Sequence, residues 1–84
     1  MPKKYPPLSY AETVAILITL GFVVKATKGS HEQWEAVVDG IRRKVTLQRG
    51  GEFDQNDIRS HIAQSGVTRE RFYGATPRTA KKIQ

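Results

Sequence analysis

This 84-residue chain contains no cysteine, only two histidines and no long uninterrupted apolar run. The lack of cysteine excludes disulfides, thiolate chemistry and cysteine-ligated zinc. Two histidines do not by themselves make a metal site, so we expect neither a metal nor another cofactor. The longest apolar run, residues 14–20, is interrupted by Thr19 and is too short to span a bilayer. Because prolines rather than an apolar segment follow the first lysines, we expect a cytoplasmic protein without a membrane partner.

Acidic side chains are scarce relative to basic ones. The chain has 8 Asp and Glu against 14 Lys and Arg, which gives a net charge of +6. This balance favours polyanionic partners, nucleic acid first, through electrostatic attraction and counterion release. A lysine-rich surface without such a partner is the alternative, and charge alone does not separate the two.

The length and the 38% of hydrophobic residues indicate one small domain with one or both ends loose. We expect an N-terminal arm over residues 1–8, a domain over 9–73 and a basic, flexible tail over 74–84. The first helix begins with a capping box between Ser9 and Glu12, and Gly21 is typical of the residue that follows its last turn.

Three strands follow this helix, over residues 22–27, 31–38 and 41–48. Asp39 and Gly40 both tolerate positive φ, which favours a type I′ hairpin that places Val38 opposite Ile41. A second helix begins at Asp54 and ends at Gly66, and residues 68–73 form one further helical turn. The pattern predicts an α+β fold in the order α-β-β-β-α, a three-stranded antiparallel sheet with helices on one face.

Alternation along the strands divides the sheet into two faces. The helix-bearing face is expected to carry Phe22, Val24, Trp34, Ala36, Val38, Val45 and Leu47. The open face is expected to carry His31, Gln33, Glu35, Val37, Lys25, Thr27, Arg42, Lys44, Thr46 and Gln48. His31 is then exposed at the rim of a polar, mostly cationic surface, opposite Gln48. His61, beside the apolar stripe of the second helix, is expected to be half-buried.

Several short motifs occur together in this chain: Leu20-Gly21-Phe22, then Gly29-Ser30-His31, then the run of residues 58–67 leading into Phe72. With this spacing, residues 9–73 resemble the HicA family of toxin–antitoxin mRNA interferases. The resemblance implies a fold like the double-stranded RNA-binding domain, cleavage of mRNA by the residue matching His31, and a neutralising antitoxin of the HicB type. The family's third strand usually ends in Val-Pro-x-His, whereas residues 47–50 read Leu-Gln-Arg-Gly. The missing second histidine puts the strength of any nuclease activity in doubt.

Histidine takes up and releases protons near neutral pH, so His31 is the candidate catalytic residue. Attack by the RNA's own 2′-hydroxyl would need no metal and would confine the reaction to RNA. The candidate RNA-binding residues are Lys25, Lys28, Gly29, Ser30, Arg42, Lys44 and Arg49.

Three functions stay open at this point. The leading one is a metal-independent endoribonuclease, and the second is an RNA-binding module of the same fold without catalysis. The third is an adaptor whose basic face meets an acidic protein. In the two non-catalytic cases His31 is a turn residue that makes hydrogen bonds and no more.

Overall fold

The computed structural model describes residues 4–84, so the first part of the expected N-terminal arm lies outside the described residues. The elements are β1 (Leu8–Ser9), α1 (Tyr10–Thr19), β2 (Val23–Lys28), β3 (His31–Val38), β4 (Ile41–Gln48), β5 (Glu52–Phe53), α2 (Gln55–Ser65), α3 (Arg69–Tyr73), α4 (Pro77–Ala80) and a 3₁₀ turn (Lys81–Ile83). Strands β2, β3 and β4 form a three-stranded antiparallel sheet, and β1 pairs with β5 in a separate two-stranded ladder. The predicted α+β class and the three-stranded sheet are confirmed.

The β3–β4 hairpin has the register that its turn predicts. Asp39 has φ 52° and Gly40 has φ 80°, as a type I′ turn requires. Val38 pairs with Ile41, and the pairing continues without interruption to the pair of His31 with Gln48. The turn residues therefore fix which side chains of β3 and β4 share a face.

Both long helices begin with the predicted capping boxes. The Ser9 hydroxyl accepts from the Glu12 amide at 3.1 Å, and the Asp54 carboxylate accepts from the Asp57 amide at 3.0 Å, with the reverse bond present in each case. After α1, Gly21 has φ 95° and allows the chain to turn directly into β2.

The hydrophobic core lies between one face of the sheet and the helices. The sheet and the residue before β2 contribute Phe22, Trp34, Val38, Val45 and Leu47. The rest of the chain contributes Leu8, Ile16, Leu17, Phe53, Ile58, Val67, Phe72 and Tyr73. Val24, expected in this core, is about half exposed at the edge of the sheet. The arginine on this face, Arg43, lies against Gly66 so closely that a Cβ there would be 2.5 Å from its Nε.

Strand β2 departs from the predicted alternation because it contains a β-bulge. Val24 pairs with Trp34 but Ala26 pairs with Gln33, which leaves Lys25 as the extra residue. Beyond the bulge the faces are exchanged relative to the prediction. The prediction that Thr27 lies on the open face is therefore wrong, because Thr27 pairs with Glu32 on the helix-bearing face. Ala26 lies on the open face instead.

Both ends of the described chain pack against the domain. Leu8 is buried and pairs with Phe53, so the end of the expected arm belongs to the folded unit. Residues 77–83 are helical, which corrects the expected flexible tail. Thr79 is fully buried there, and its hydroxyl donates to the carbonyl oxygen of Tyr73 at 2.6 Å. Between residues 4 and 84, none of the helices has the length and apolar character that crossing a bilayer requires.

Candidate functional site

His31 is the first residue of the central strand, β3, and is exposed on the open face of the sheet. The turn that precedes it is tight, with Gly29 at φ 61°, a backbone conformation that favours glycine. Lys28 lies opposite His31 on β2, and Gln48 lies opposite it on β4. These pairings form a row across the end of the sheet, which we call the histidine row: Lys28, His31 and Gln48.

A second row lies one step further along the strands on the same face. Gln33 is in its centre, with Ala26 opposite on β2 and Thr46 opposite on β4. We call these three residues the glutamine row. The two rows together line a shallow hollow of about 350 Å³, bounded by Ala26, Lys28, His31, Gln33 and Thr46. None of Gln33, Ala26 and Thr46 was among the candidate site residues from sequence. Gln33 and Thr46 were expected on the open face but were given no role there, and the bulge that places Ala26 beside them has no evident sequence signal.

The candidate basic residues do not form one continuous cluster. Lys28 lines the hollow beside His31, whereas Lys25 and Arg42 line a different depression near the Asp39–Gly40 end of the sheet. Lys44 shares the open face and lies opposite Glu35, which offsets part of its charge. The hollow therefore receives its positive charge from Lys28 first.

Arg49 lies apart from the open-face cations. Its Nε donates to the Glu32 carboxylate at 3.2 Å, on the helix-bearing side of the sheet. Its backbone amide donates to the carbonyl oxygen of Ser30 at 2.6 Å. Of the two predicted RNA-binding residues in this contact, Arg49 is held by a carboxylate, and Ser30 contributes a backbone anchor for the turn before His31.

Glu32 is a buried carboxylate that sequence reasoning missed. It accepts hydrogen bonds from the Tyr10 hydroxyl at 2.6 Å and from Trp34 Nε1 at 3.3 Å, in addition to Arg49. The hydrogen bond from Tyr10, opposed by burial and supported by the other two donors, lowers the pKa of Glu32. The same bond raises the pKa of Tyr10. The available signal was strand parity, since Glu32 shares a face with Trp34 and Val38 and needed a buried partner.

His61 is buried rather than half-buried, which corrects the prediction. Its ring packs edge-on against Phe53, with 4.8 Å between ring centroids, and its Nδ1 has no hydrogen-bond partner within residues 4–84. Burial lowers the pKa of His61, against a smaller opposing effect of Asp57. His61 is therefore a neutral packing residue on the helix-bearing side of the sheet, separate from the hollow.

Potential metal ligands are not grouped in the described part of the chain. Among residues 4–84, no three His, Asp or Glu side chains lie close enough together to hold a metal ion. No family model, curated protein or solved structure matches the chain. The function is therefore argued from the geometry of the hollow and from the sequence motifs that border it.

The hollow combines four kinds of chemistry within a few residues. His31 offers an imidazole, a group that can accept and then donate a proton, and Lys28 offers an ammonium group. Gln33 and Thr46 offer uncharged donors and acceptors, and Ala26 offers a small apolar surface. This set suits a ligand that has a phosphate at one end and a flat polar group at the other.

Proposed function

We propose that this protein is an endoribonuclease that cleaves mRNA without a metal, with His31 as the proton-transfer residue. The observation that carries the proposal is the placement of His31 beside Lys28 in an exposed hollow, on a sheet face that also carries Arg42 and Lys44. A chain with net charge +6 attracts a polyanion through electrostatic forces that do not depend on the nucleotide sequence.

The chemistry follows from the RNA itself. The His31 imidazole takes the proton from a 2′-hydroxyl, and that oxygen attacks the adjacent phosphorus. The bond from phosphorus to the 5′-oxygen breaks, so the products are a 2′,3′-cyclic phosphate and a 5′-hydroxyl that has taken up a proton from imidazolium or water. The Lys28 ammonium stabilises the negative charge that develops on the phosphoryl oxygens. DNA lacks the nucleophile and is not cleaved.

The biological setting of the proposal comes from the motifs. Leu20-Gly21-Phe22 followed by Gly29-Ser30-His31 resembles the HicA toxins, which supports an mRNA interferase neutralised by an antitoxin of the HicB type. Because His31 and Lys28 are exposed, a protein that covers this end of the sheet would block RNA access. We therefore expect the antitoxin to cover the hollow.

The test is cleavage of a long single-stranded RNA by the purified protein in EDTA. We expect the parent protein to cleave, the His31→Ala variant to be inactive, and Lys28→Ala to be strongly impaired. Lys81→Ala is the matched control, because it removes the same charge from an exposed residue of the C-terminal 3₁₀ turn, which does not line the hollow. Equal cleavage by the parent and by a folded His31→Ala variant would overturn the proposal.

A non-catalytic RNA-binding module is the second candidate. It is favoured by Gln48, which stands opposite His31 where a second proton-transfer group would be well placed. In that case both the parent and His31→Ala bind RNA, neither cleaves it, and the affinity falls steeply with salt.

A further inference from the structure

We propose that the glutamine row is a subsite for one unpaired nucleobase next to the scissile phosphate, and that Gln33 reads the edge of this base. The proposal rests on the proposed ribonuclease function and names the substrate feature that the same hollow selects. Its geometric basis is the pair of parallel rows on the open face, with Lys28 and His31 in one and Ala26, Gln33 and Thr46 in the other.

The hollow exists because of the bulge in β2. Without the extra residue at Lys25, regular alternation would place Thr27 on this face next to His31. The bulge instead places Ala26 opposite Gln33, and a methyl group leaves space where a larger side chain would fill it. Bulges commonly re-aim side chains, and this one turns Ala26 into the hollow.

The spacing of the rows suits one nucleotide. Successive residues on the same face of a strand are about 7 Å apart, so His31 and Gln33 can contact different parts of one nucleotide. In the proposed binding mode, the sugar and the base attached to a phosphate at Lys28 lie along the strand, towards Gln33. The cavity of about 350 Å³ is at the small end of ligand-binding sites, which fits one base and not an extended helix.

The lining of the glutamine row suits a planar heterocycle. Ala26 offers an apolar contact to a ring, while the Gln33 amide and the Thr46 hydroxyl offer hydrogen bonds to its edge. Gln33 is half-buried in the central strand between two paired neighbours, so its position is fixed by the sheet. On the β4 side, the backbone amide of Thr46 is itself held by the Gln64 side chain at 3.1 Å.

The amide of Gln33 can make two hydrogen bonds to adenine. A glutamine presents a donor and an acceptor side by side, which matches the N7 acceptor and the N6 donor of adenine. The edge of a base is accessible in this way only when the RNA is single-stranded at that point. We therefore expect adenine next to the cleaved bond in single-stranded RNA.

The experiment uses short single-stranded RNAs that differ in one base beside a single cleavable linkage, all other nucleotides being deoxy. We expect the parent protein to cleave the adenine substrate about tenfold faster or more than the other three. Gln33→Ala should lower cleavage of the adenine substrate to the level of the others. Gln33→Glu should shift the preference to guanine, because the two carboxylate oxygens can accept from its N1–H and its 2-amino group. Ala26→Leu, which fills the hollow, should slow all four.

Failure of the subsite and failure of the ribonuclease give different results. Unchanged base preference in Gln33→Ala, or no preference in a parent protein that needs His31 to cleave, overturns the subsite alone. If no RNA is cleaved, the ribonuclease proposal fails, and the same oligonucleotides are used in equilibrium binding. A parent that binds adenine and cytosine oligonucleotides equally then overturns the subsite too, whereas a Gln33-dependent preference supports it. Circular dichroism confirms that each variant is folded.

Discussion

Replacing Glu32 by glutamine tests whether a buried carboxylate network holds the sheet to α1 and to the turn after β4. The substitution keeps the size of the side chain and removes its charge. The carboxylate has three donors, from Tyr10, Trp34 and Arg49, and a glutamine oxygen can serve only the first two. The glutamine NH₂ then faces the Arg49 guanidinium, where two donors meet without an acceptor.

The expected loss of stability follows from these contacts. A hydrogen bond to a charged group contributes about 1.5–3 kcal/mol and a neutral one about 1 kcal/mol, so the Tyr10 contact loses about 1 kcal/mol. The Arg49 side chain is 57% exposed, so its ion pair contributes only about 0–1 kcal/mol. The total is about 1–2 kcal/mol, which for a domain of this size lowers the Tm by about 4–16 °C. Glu52→Gln, at an exposed glutamate of β5, is the matched control and should change stability by less than about 0.5 kcal/mol.

The pH dependence gives a second measurement on the same variant. Because the Tyr10 hydrogen bond lowers the pKa of Glu32 in the folded state, the unfolded state binds the proton more readily. The stabilisation is complete above the unfolded pKa of about 4.3 and is lost as the pH falls through the lower folded pKa. Chemical denaturation of the parent and of Glu32→Gln should therefore converge in strong acid. Equal stability of Glu32→Gln and Glu52→Gln at pH 7, or a difference that stays constant into strong acid, would refute the reasoning.

Two further predictions concern the corrected regions. Burial lowers the pKa of His61, so its neutral form is favoured in the folded state. The parent should therefore lose stability as the pH falls below about 6.5, because the unfolded state binds the proton more readily. Urea denaturation should show that His61→Leu loses less stability over the same pH range. Deleting residues 77–84 removes the buried Thr79 and its bond to Tyr73, so the shortened protein should unfold at a clearly lower temperature; an unchanged Tm by calorimetry would mean that this segment is a dispensable tail.

The parts of the fold that the sequence predicted well are those decided by neighbouring residues. The Asp39–Gly40 turn sets the β3–β4 register because two residues in succession must have positive φ. The capping boxes of both long helices lie within four consecutive residues each, so their geometry follows from local spacing. His31 was placed correctly on the open face because β3 and β4 are regular from this turn to the far end.

The parts that were missed depend on contacts between residues distant in sequence. The bulge at Lys25 depends on how β2 pairs with β3, and the alternation of apolar and polar residues within β2 alone does not contain that information. The charged side chain of Glu32 is tolerated inside because Tyr10 and Arg49 approach it from 22 and 17 residues away. The C-terminal residues have a polar composition that predicts a tail, yet one threonine there is buried against α3.

Because side chains alternate along β3, the residues of the proposed chemistry and the residues that stabilise the fold lie on opposite faces of the same strand. His31 and Gln33 project into the hollow, while Glu32 and Trp34, the residues between and beyond them, are buried in the polar network and the core. Substitutions at the first pair should therefore change cleavage or base preference with little effect on the Tm, and Glu32→Gln should do the opposite. One link between the two sides is the bond from the Arg49 amide to the Ser30 carbonyl. Since Glu32 holds the Arg49 side chain, loss of activity in a folded Glu32→Gln variant would mean that the turn before His31 must be fixed from behind the sheet.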